Sequence, residues 1–411
     1  MKIVIVGGGI SGWISALIFS HRQPNHKYII VESPEIDTIG VGEGTTGLFS
    51  DVIDEIPDIN FAEFLRKTKA TPKIGIEFNN WSGQGSSFFN PIDGTPSTNE
   101  EFDSFLYYTY IQNPSLDTSS LHGLLKKLNK SPYTINSGKL KDYNTALHLD
   151  NRLTIQYLKS KSLKRKNIKH ISDTVFDIER DETGIVKKII CSNHIIEGDI
   201  FIDCTGYKRI FSKDSDWISF KDNLPMNSVT TYVRKHGGNV DCVTKATALS
   251  SGWCWEIPTQ ERIGCGYVFS DKHISIEQAK EEWMKHNGHK EILTDWNILK
   301  WNPGRLVESW KDNVVAVGLS SGFVEPMEAN GLSLLVNQIR TLSRVLHKNN
   351  ASKLYNRHVN KVHDEVADFI WHHYACTSRN DTDFWKHYAK IDGKTSLWKR
   401  IKEKTKLETA M

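Results

Sequence analysis

The residues with the clearest chemical meaning are three glycines near the N-terminus, Gly7, Gly9 and Gly12, in the spacing G-x-G-x-x-G. A glycine at the first position permits a tight turn, and one at the second lets the backbone approach a pyrophosphate. A glycine at the third lets a helix pack closely on a strand. The negative phosphates would then meet the positive end of the helix dipole. The pattern predicts a dinucleotide site, and by itself it leaves FAD and NAD both open.

The elements around these glycines follow the βαβ order that such a site needs. A first strand is predicted over Lys2–Val6, a helix from Trp13 to about Phe19, and a second strand over Lys27–Glu32. Glu32 closes the second strand 20 positions after Gly12, where a carboxylate that binds ribose hydroxyls is expected. Cofactor contacts are therefore expected from Gly7, Gly9, Ile10, Ser11, Gly12, Trp13 and Glu32.

Later segments predict the rest of an alternating α/β fold. Apolar, β-branched residues predict strands over Lys187–Cys191, Ile195–Cys204 and Val314–Val317. A glycine-rich stretch follows, and apolar residues then recur at three- and four-residue steps from Leu332 to His347. This spacing indicates an amphipathic helix that faces a core.

Two stretches rich in Gly, Pro, Ser and Asn, Ser86–Ser97 and Ser115–Pro132, are expected to be surface loops. The chain shows no internal repeat and no low-complexity linker. The nucleotide-binding segments are therefore expected to be interleaved with the remaining segments.

The composition favours small molecules as partners. The 411 residues are 38% hydrophobic and 25% charged, as in a globular protein, and a net charge of +3 argues against nucleic-acid binding. The six cysteines and the histidines lack the spacing of a metal site, so reduced thiols and no metal are expected. No secretory signal and no stretch of roughly 18 apolar residues is present, so a cytoplasmic protein without a membrane partner is expected. A homo-oligomer is compatible with the sequence.

Further segments occur in the order in which one enzyme family carries its motifs. They are Trp253-Cys254-Trp255-Glu256-Ile257-Pro258, Gly40–Thr46 with Ala70–Phe78, Gly322–Gly331, His372–Tyr374 and Arg379–Trp385. The first matches the signature W-x-W-x-I-P, which is specific when it is combined with the N-terminal glycines. On these residues the chain resembles the flavin-dependent halogenases of the tryptophan-halogenase type.

The resemblance implies an α/β fold with a Rossmann-like FAD-binding module of the flavin monooxygenase type. A substrate module of helices and sheet is expected to be interleaved with it. The FAD module is expected over residues 1–80, 140–215 and 300–348, and the substrate module over 81–139, 216–299 and 349–411.

Members of this family use reduced FAD and oxygen to oxidise a halide to hypohalous acid, which halogenates an aromatic compound. The resemblance implies that Lys73 directs the electrophilic halogen and that Glu328 polarises the oxidant or takes the ring proton. It places the halide on the backbone amides of Asn330 and Gly331, although Ala329-Asn330 replaces the usual Ser-Thr. Further cofactor contacts are expected from Gly42, Glu43, Gly318, Pro326 and Gly331.

The two catalytic candidates also have plainer interpretations. Lys73 precedes the apolar residues Ile74, Ile76 and Phe78, and burial there would favour its neutral, nucleophilic form. The alternative is a solvated surface lysine. Glu328 precedes a predicted helix, whose dipole it would stabilise. That structural role is compatible with a general-base role.

Aromatic residues bear on the substrate. Trp253 and Trp255 would face one side of a strand, where they either wall off the flavin or simply belong to the core, so neither is assigned a catalytic role. Asn90 and Ile92 stand where family members that act on free tryptophan have His and Phe of an indole clamp. A more open pocket for indoles, phenols or other electron-rich aromatics is therefore expected.

The chain carries one dinucleotide fingerprint, so a separate flavin reductase is expected to supply the reduced flavin. Bromide and iodide are oxidised more easily than chloride and are expected to be accepted at least as well. Two alternatives stay open. A flavin-dependent aromatic hydroxylase usually has Asp after the glycine of a late strand, where Leu319 follows Gly318 here. A non-catalytic flavin-binding protein would need neither Lys73 nor Glu328.

Overall fold

A computed structural model describes residues 1–36, 40, 42–92, 121–128, 130, 132–136, 139–141, 145–213, 215–238, 240–288 and 291–388. Val41 of the predicted flavin segment and parts of both predicted loops lie outside these residues. So do parts of the expected substrate module, at 93–120 and 389–411.

The strands are β1 Lys2–Val6, β2 Lys27–Glu32, β3 Glu43–Gly44, β4 Thr71–Lys73, β5 Gly75–Asn79, β6 Ser87–Pro91, β7 Thr134–Asn136, β8 Lys139–Lys141, β9 Ala146–Leu149, β10 Ile168–Ser172, β11 Val175–Arg180, β12 Val186–Cys191, β13 Ile195–Glu197, β14 Ile200–Asp203, β15 Trp217–Ser219, β16 Ser228–Arg234, β17 Val243–Leu249, β18 Gly252–Pro258, β19 Ile263–Phe269, β20 Asn297–Lys300, β21 Gly304–Leu306, β22 Trp310–Lys311, β23 Val314–Ala316 and β24 Gly322–Phe323. The α-helices are α1 Ile10–Arg22, α2 Gly47–Glu55, α3 Phe61–Thr68, α4 Leu121–Lys127, α5 Asn151–Ser162, α6 Ile276–His286, α7 Asn330–Val345, α8 Ala351–Ala375 and α9 Asp383–Tyr388.

A six-stranded sheet has the order β10-β2-β1-β14-β23-β22. Its first five strands are parallel, and β22 is antiparallel to β23. Successive side chains of β1 point to opposite faces, so Ile3 and Ile5 pack with α1 and α7 while Val4 and Val6 pack toward β11 to β13. The sheet confirms the predicted Rossmann-like fold, and its strands β1, β2 and β14 end at one edge.

The predicted elements agree with this sheet in most places. Strands β1 and β2 have the predicted bounds. Helix α1 is longer than predicted because Gly9, in an extended conformation, is its N-cap, and α7 begins two residues before the predicted start. The strand predicted over Ile195–Cys204 is divided into β13 and β14. Gly198 lies at the division, and a Cβ there would stand 2.6 Å from Cγ2 of Val4.

Both loop predictions were partly wrong. Ser87–Pro91 forms β6, which pairs antiparallel with β5, and Leu121–Lys127 forms α4. The polar composition of these stretches indicates loops, but pairing with the edge of a sheet and tertiary packing determine the conformation there.

A seven-stranded sheet has the order β20-β16-β19-β18-β17-β5-β6 and is antiparallel except between β17 and β5. Trp253 and Trp255 lie on β18 with ring centroids 5.9 Å apart, which confirms the predicted common side. That side packs against α8 and α9, and the opposite side packs against α6. Lys73 ends β4 just before the chain enters this sheet through β5.

Membrane spans and the division into modules were also addressed by the sequence. None of the helices in the described ranges is both long and apolar enough to cross a bilayer. The division of the chain into a FAD module and a substrate module stays a prediction, because the sheets alone do not assign a ligand to either.

Candidate active site

A cavity of about 510 Å³ lies at the edge of the six-stranded sheet where β1, β2 and β14 end. Ligands of open parallel sheets bind at the carboxyl ends of strands. Most of the predicted cofactor residues line this cavity: Gly7, Gly9, Ile10, Ser11, Glu32, Gly42, Glu43, Gly318, Pro326 and Gly331. Gly12 and Trp13 are not on its wall.

The three glycines of the loop have different surroundings. A Cβ on Gly7, whose φ is +122°, would lie 2.3 Å from the carbonyl oxygen of Cys204. A Cβ on Gly12 would lie 1.9 Å from the carbonyl oxygen of Gly7. A Cβ on Gly9 would meet no described atom within 4 Å. The first and third glycines therefore permit close packing within the protein, whereas Gly9 leaves open space at the start of α1, as a bound pyrophosphate requires.

Glu32 lies on the cavity wall beside the glycine loop. A Cβ on Gly8 would stand 2.1 Å from Cγ of Glu32, and the Glu32 carboxylate accepts a hydrogen bond from Nζ of Lys159 at 2.5 Å. Trp13 is fully buried beneath the loop, with Lys159 over its ring. The cavity, the open face at Gly9 and the placement of Glu32 fit FAD.

A second, smaller cavity of about 90 Å³ adjoins the first and contains both predicted catalytic residues. Lys73 and Glu328 line it together with Trp253, Phe78 and Ile76. The two cavities share lining residues, namely Gly42, Glu43, Trp255, Phe323, Pro326 and Gly331. The larger cavity is therefore directly next to the cavity that contains Lys73.

Lys73 is completely buried. Its Nζ donates a hydrogen bond to the carbonyl oxygen of Thr45 at 3.0 Å. Burial lowers the pKa of Lys73 to about 8, against an opposing effect of the Glu328 charge. The expected desolvation is confirmed, and the ammonium group gives up its proton more easily than a solvated lysine does.

Glu328 and Ala329 have φ values of +60° and +54°, in the left-handed region that side chains seldom adopt. Such strain is typical of functional sites. Oε1 of Glu328 accepts a hydrogen bond from Nδ2 of Asn90 at 2.8 Å and lies within hydrogen-bond distance, 3.0 Å, of Nε2 of His373. Burial alone would raise the pKa of Glu328, but His373, Lys73 and Asn90 together hold it below its usual value.

The sequence did not reveal Asn90 and His373 as partners of Glu328. The sequence relates Asn90 only to the substrate clamp and His373 only to a C-terminal motif. No local spacing could connect residues that are separated in sequence by 238 and 45 positions from Glu328. Within the described ranges, no group of three or more His, Cys, Asp or Glu side chains could hold a metal ion.

Asn330 and Gly331 begin α7, next to both cavities. The side-chain amide of Asn330 donates to the carbonyl oxygens of Met327, at 2.6 Å, and Glu325, at 3.3 Å, so it stabilises the turn. Gly331 lines both cavities. The backbone amides at this helix start remain the predicted anion donors.

Glu43 lies on the wall between the cavities. Burial raises the pKa of its carboxyl group from 4.5 to about 7, while a hydrogen bond with Asn151 acts in the opposite direction. The negative charge of Glu43 is therefore disfavoured at the wall that the two cavities share.

Glu325 holds the wall of the smaller cavity in place. Its Oε1 accepts hydrogen bonds from Nε1 of Trp253 at 3.1 Å and from the hydroxyl of Tyr374 at 2.7 Å. Within the described part of the chain, Oε2 of this buried residue has no hydrogen-bond partner. Burial raises the pKa of Glu325 from 4.5 to about 7. Glu325 thus connects the tryptophan signature on β18 to helix α8.

Replacement of Glu325 by Gln is expected to reduce the loss of stability at alkaline pH. A raised pKa in the folded state contributes stability that is present below the unfolded pKa and is lost as pH rises through about 7. The free energy of unfolding of the wild type should therefore decrease between about pH 5 and about pH 8.5. This decrease should exceed that of Glu325→Gln by on the order of 1–3 kcal/mol. Urea unfolding of the flavin-free proteins at both pH values measures this difference.

Glu291→Gln is the matched control, because the Glu291 side chain is 67% exposed. It should follow the wild-type pH dependence. Parallel curves for Glu325→Gln and wild type would show that Glu325 keeps its ordinary pKa.

Comparison with known proteins agrees with this geometry. The family model described as tryptophan halogenase matches residues 2–409. Tryptophan 6-halogenase SttH of Streptomyces toxytricini is 31% identical over 423 residues, which cover 94% of this chain and 80% of that protein. Tryptophan 7-halogenase RebH of Lentzea aerocolonigenes is 27% identical, with 94% of this chain and 78% of that protein covered.

Solved structures agree as well. The crystal structure of SttH from Streptomyces toxytricini superposes with a TM-score of 0.87 at 28% identity, covering 98% of this chain and 84% of the other. BrvH, a flavin-dependent halogenase from Brevundimonas sp. BAL3, gives 0.84 at 30% identity, covering 97% and 83%. The chain therefore belongs to the tryptophan halogenase family and is a flavin-dependent halogenase, an oxidoreductase that uses reduced FAD and a halide to halogenate an aromatic compound.

Proposed function

We propose that this enzyme delivers hypohalous acid through Lys73 to an electron-rich aromatic compound of the indole or phenol type. The observation that carries the proposal is the arrangement of the two cavities. Lys73 and Glu328 face one small, largely apolar cavity that shares a wall with the cavity expected to hold FAD.

FAD, when bound in its reduced form, supplies with oxygen the oxidising equivalents for the halide. The glycine turn from Gly7 to Gly12 would hold the pyrophosphate, and Glu32 the ribose. Trp255, Phe323 and Pro326 form part of the shared wall, which keeps the aromatic compound apart from the flavin.

Lys73 is proposed to bind the oxidised halogen. Its Nζ either holds hypohalous acid by hydrogen bonds or, as the neutral amine, forms an N–halogen bond while hydroxide leaves. Burial supports both versions because it excludes competing water and lowers the pKa of the amine to about 8. The halogen is then presented to the ring within the smaller cavity.

Glu328 is proposed to complete the substitution as the base. Once the halogen has bonded to a ring carbon, the C–H bond at that carbon breaks and its electron pair restores aromaticity. The proton passes to the Glu328 carboxylate, which is kept ionised by Asn90, His373 and Lys73.

For the halide, we propose the backbone amides of Asn330 and Gly331, with bromide and iodide accepted at least as well as chloride. Backbone donors do not depend on the side chains that replace the family's Ser-Thr. Bromide and iodide also lose electrons more easily. A competition at equal halide concentrations in which the chlorinated product dominated would contradict this preference.

We also propose a separate flavin reductase as the source of reduced FAD and a cytoplasmic site of action. A single dinucleotide fingerprint in the sequence supports the first. The six cysteines form no disulfide, which agrees with a reducing compartment.

The test combines the purified protein with FAD, a flavin reductase, NADH, bromide and a panel of aromatic compounds. The panel contains indoles, phenols and tryptophan, which is the substrate named for the relatives. The mass increase of a bromine-for-hydrogen exchange on an indole or phenol supports the proposal. A product with one added oxygen, or a panel without any brominated indole or phenol, would contradict the proposed delivery of halogen to this class of compound.

A further inference from the structure

One hydroxyl group on the wall of the smaller cavity is hydrogen-bonded to a buried histidine. Thr244 lines this cavity together with Lys73 and Glu328. Oγ1 of Thr244 lies 2.9 Å from Nε2 of His148, which is completely buried on β9. Nδ1 of the same ring lies 3.2 Å from Oγ1 of Thr71 on β4. The direction of these bonds determines what Thr244 can offer to a ligand.

The hydroxyl of Thr71 determines which nitrogen of His148 carries a hydrogen. It donates to the carbonyl oxygen of Pro258 at 2.6 Å, and a carbonyl oxygen can only accept. The single hydroxyl hydrogen of Thr71 is used in that bond, so its Oγ1 can only accept from His148. Nδ1 of His148 must therefore carry a hydrogen.

The ring of His148 is neutral. Burial and the nearby charge of Lys73 hold the pKa of His148 well below its usual value, against an opposing effect of the Pro258 carbonyl. A neutral ring with its hydrogen on Nδ1 has a bare Nε2, which can only accept. Thr244 must therefore donate its hydroxyl hydrogen to His148.

Thr244 is thus an acceptor toward the cavity. A threonine hydroxyl has one hydrogen and two lone pairs, and the hydrogen is bonded to His148. Nζ of Lys73, on the same wall, carries hydrogens in both its charged and its neutral form. The cavity therefore offers a nitrogen donor and an oxygen acceptor to one ligand.

Gly44 leaves open the place where these two groups meet. A Cβ on Gly44 would lie 3.5 Å from Nζ of Lys73 and 3.7 Å from Oγ1 of Thr244. Together with Cβ of Ala329, at 3.3 Å, these are the three nearest atoms, so Glu328 has no atom nearer to this point than Thr244. A molecule of the size of hypohalous acid at this point contacts both polar groups.

We propose that Thr244 is a further binding residue for hypohalous acid, whose O–H hydrogen is accepted by Oγ1 beside Nζ of Lys73. The inference rests on the proposed role of Lys73. Because the O–H end is held at Thr244, the halogen is the free end in both versions of the Lys73 step. His148 does not contact the oxidant. It is a positioning residue, since it keeps the Thr244 hydrogen away from the cavity.

The test compares Thr244→Val with Thr244→Ser, using bromide and an aromatic compound that the wild type brominates. Valine keeps the shape of threonine without a hydroxyl, whereas serine keeps the hydroxyl. We expect Thr244→Val to give roughly tenfold less brominated product per reduced FAD consumed, as when one hydrogen bond to a small ligand is lost. The hypobromous acid that escapes should brominate monochlorodimedone in solution. Thr244→Ser should match the wild type in both quantities.

Thr247→Val is the matched control. Thr247 is also buried on β17, and because successive side chains of a strand alternate, it lies on the opposite face from Thr244. It should show wild-type product and no excess of brominated trap. Equal losses in Thr247→Val and Thr244→Val would overturn the inference, because any buried hydroxyl of this strand would then have the same effect.

The other outcomes separate this inference from the proposed function. Lys73→Met with wild-type bromination refutes the role of Lys73. An inactive Lys73→Met with an unchanged Thr244→Val overturns the role of Thr244 alone. Less product in Thr244→Val without more brominated trap also overturns it, because the loss would then precede the formation of hypobromous acid.

Gly44→Ala tests the same point with an unaltered Thr244. The added methyl group occupies the space beside Nζ of Lys73 and Oγ1 of Thr244. Gly44 lines the smaller cavity and is not on the wall of the larger one, so FAD affinity should stay at the wild-type value. We expect brominated product per reduced FAD to fall by roughly tenfold or more. A Gly44→Ala protein with the wild-type yield would contradict the inference even if Thr244→Val did not fold.

A measurement on the flavin-free protein does not depend on turnover. In ¹⁵N spectra of histidine-labelled protein near neutral pH, the His148 signal, identified by its loss in His148→Gln, should show a hydrogen on Nδ1 and a bare Nε2. The Nε2 signal should shift in Thr244→Val and stay unchanged in Thr247→Val. A hydrogen on Nε2 would overturn the inference, because Thr244 would then accept from His148 and its own hydrogen would be free for the cavity.

Discussion

Replacement of Lys73 by Met should abolish halogenation while FAD still binds. Methionine fills a similar volume without an amine, so neither a hydrogen bond to hypohalous acid nor an N–halogen bond can form. We expect the rate of product formation to fall by roughly 10²–10⁴-fold, as when a positioned catalytic group is lost. The substitution leaves the buried carbonyl oxygen of Thr45 without its donor, at a cost of about 1–3 kcal/mol, which a stable α/β protein tolerates. Product yield by mass spectrometry and FAD affinity by fluorescence titration provide the two readouts.

Lys67→Met is the matched control, because its side chain is 56% exposed and forms an i,i+4 ion pair with Glu63. It should retain wild-type activity. If Lys73→Met halogenates at the wild-type rate, Lys73 does not handle the oxidised halogen. A loss of FAD affinity in Lys73→Met would instead assign the residue to the flavin site.

The pH dependence distinguishes the two versions of the Lys73 mechanism. Burial lowers the pKa of this amine to about 8, so the neutral form increases as pH rises through that value. We expect single-turnover halogenation to increase over the same range, because only the neutral amine can bond to halogen. A decrease over this range would show that the ammonium form holds hypohalous acid by hydrogen bonds.

The sequence predicted the parts of this site that depend on neighbours along the chain. The turn at Gly7 and Gly9 requires glycines at fixed spacing, and β1 and β2 are short runs of β-branched residues beside it. These constraints are local. The catalytic roles of Lys73 and Glu328 required in addition the order of motifs that the chain shares with a family.

Features that depend on distant segments could not be predicted. The polar composition of β6 predicts a loop, because it carries no information on the edge of β5 with which this segment pairs. His373 and Asn90 meet at Glu328 only because α8 packs against the seven-stranded sheet, whose edge strand β6 carries Asn90. No neighbour in the sequence indicates that Glu325 is buried beside Trp253 and Tyr374, and this burial raises its pKa.

Replacement of Gly9 by Ala should weaken FAD binding without weakening the fold. The φ and ψ of Gly9 are −75° and −174°, which alanine adopts readily, and no described atom lies within 4 Å of the added Cβ. The methyl group would occupy the space into which the pyrophosphate must come to reach the start of α1. We expect FAD affinity to fall by roughly tenfold or more, which corresponds to about 1.4 kcal/mol or more of binding free energy. The free energy of unfolding of the flavin-free protein should stay within about 0.5 kcal/mol of wild type.

Gly12→Ala is the contrasting control, because its Cβ would lie 1.9 Å from the carbonyl oxygen of Gly7. Backbone must move to admit it, so we expect a loss of ~3 kcal/mol or more in the free energy of unfolding. The two variants add the same methyl group at positions three residues apart. At Gly12 the protein itself occupies the space that the methyl group needs, whereas at Gly9 the bound cofactor is expected to occupy it. Unimpaired FAD binding by a stable Gly9→Ala protein would place the pyrophosphate elsewhere and reassign the larger cavity. A stable Gly9→Ala that lacks FAD would show that this glycine is retained for the cofactor, since the fold itself does not require it.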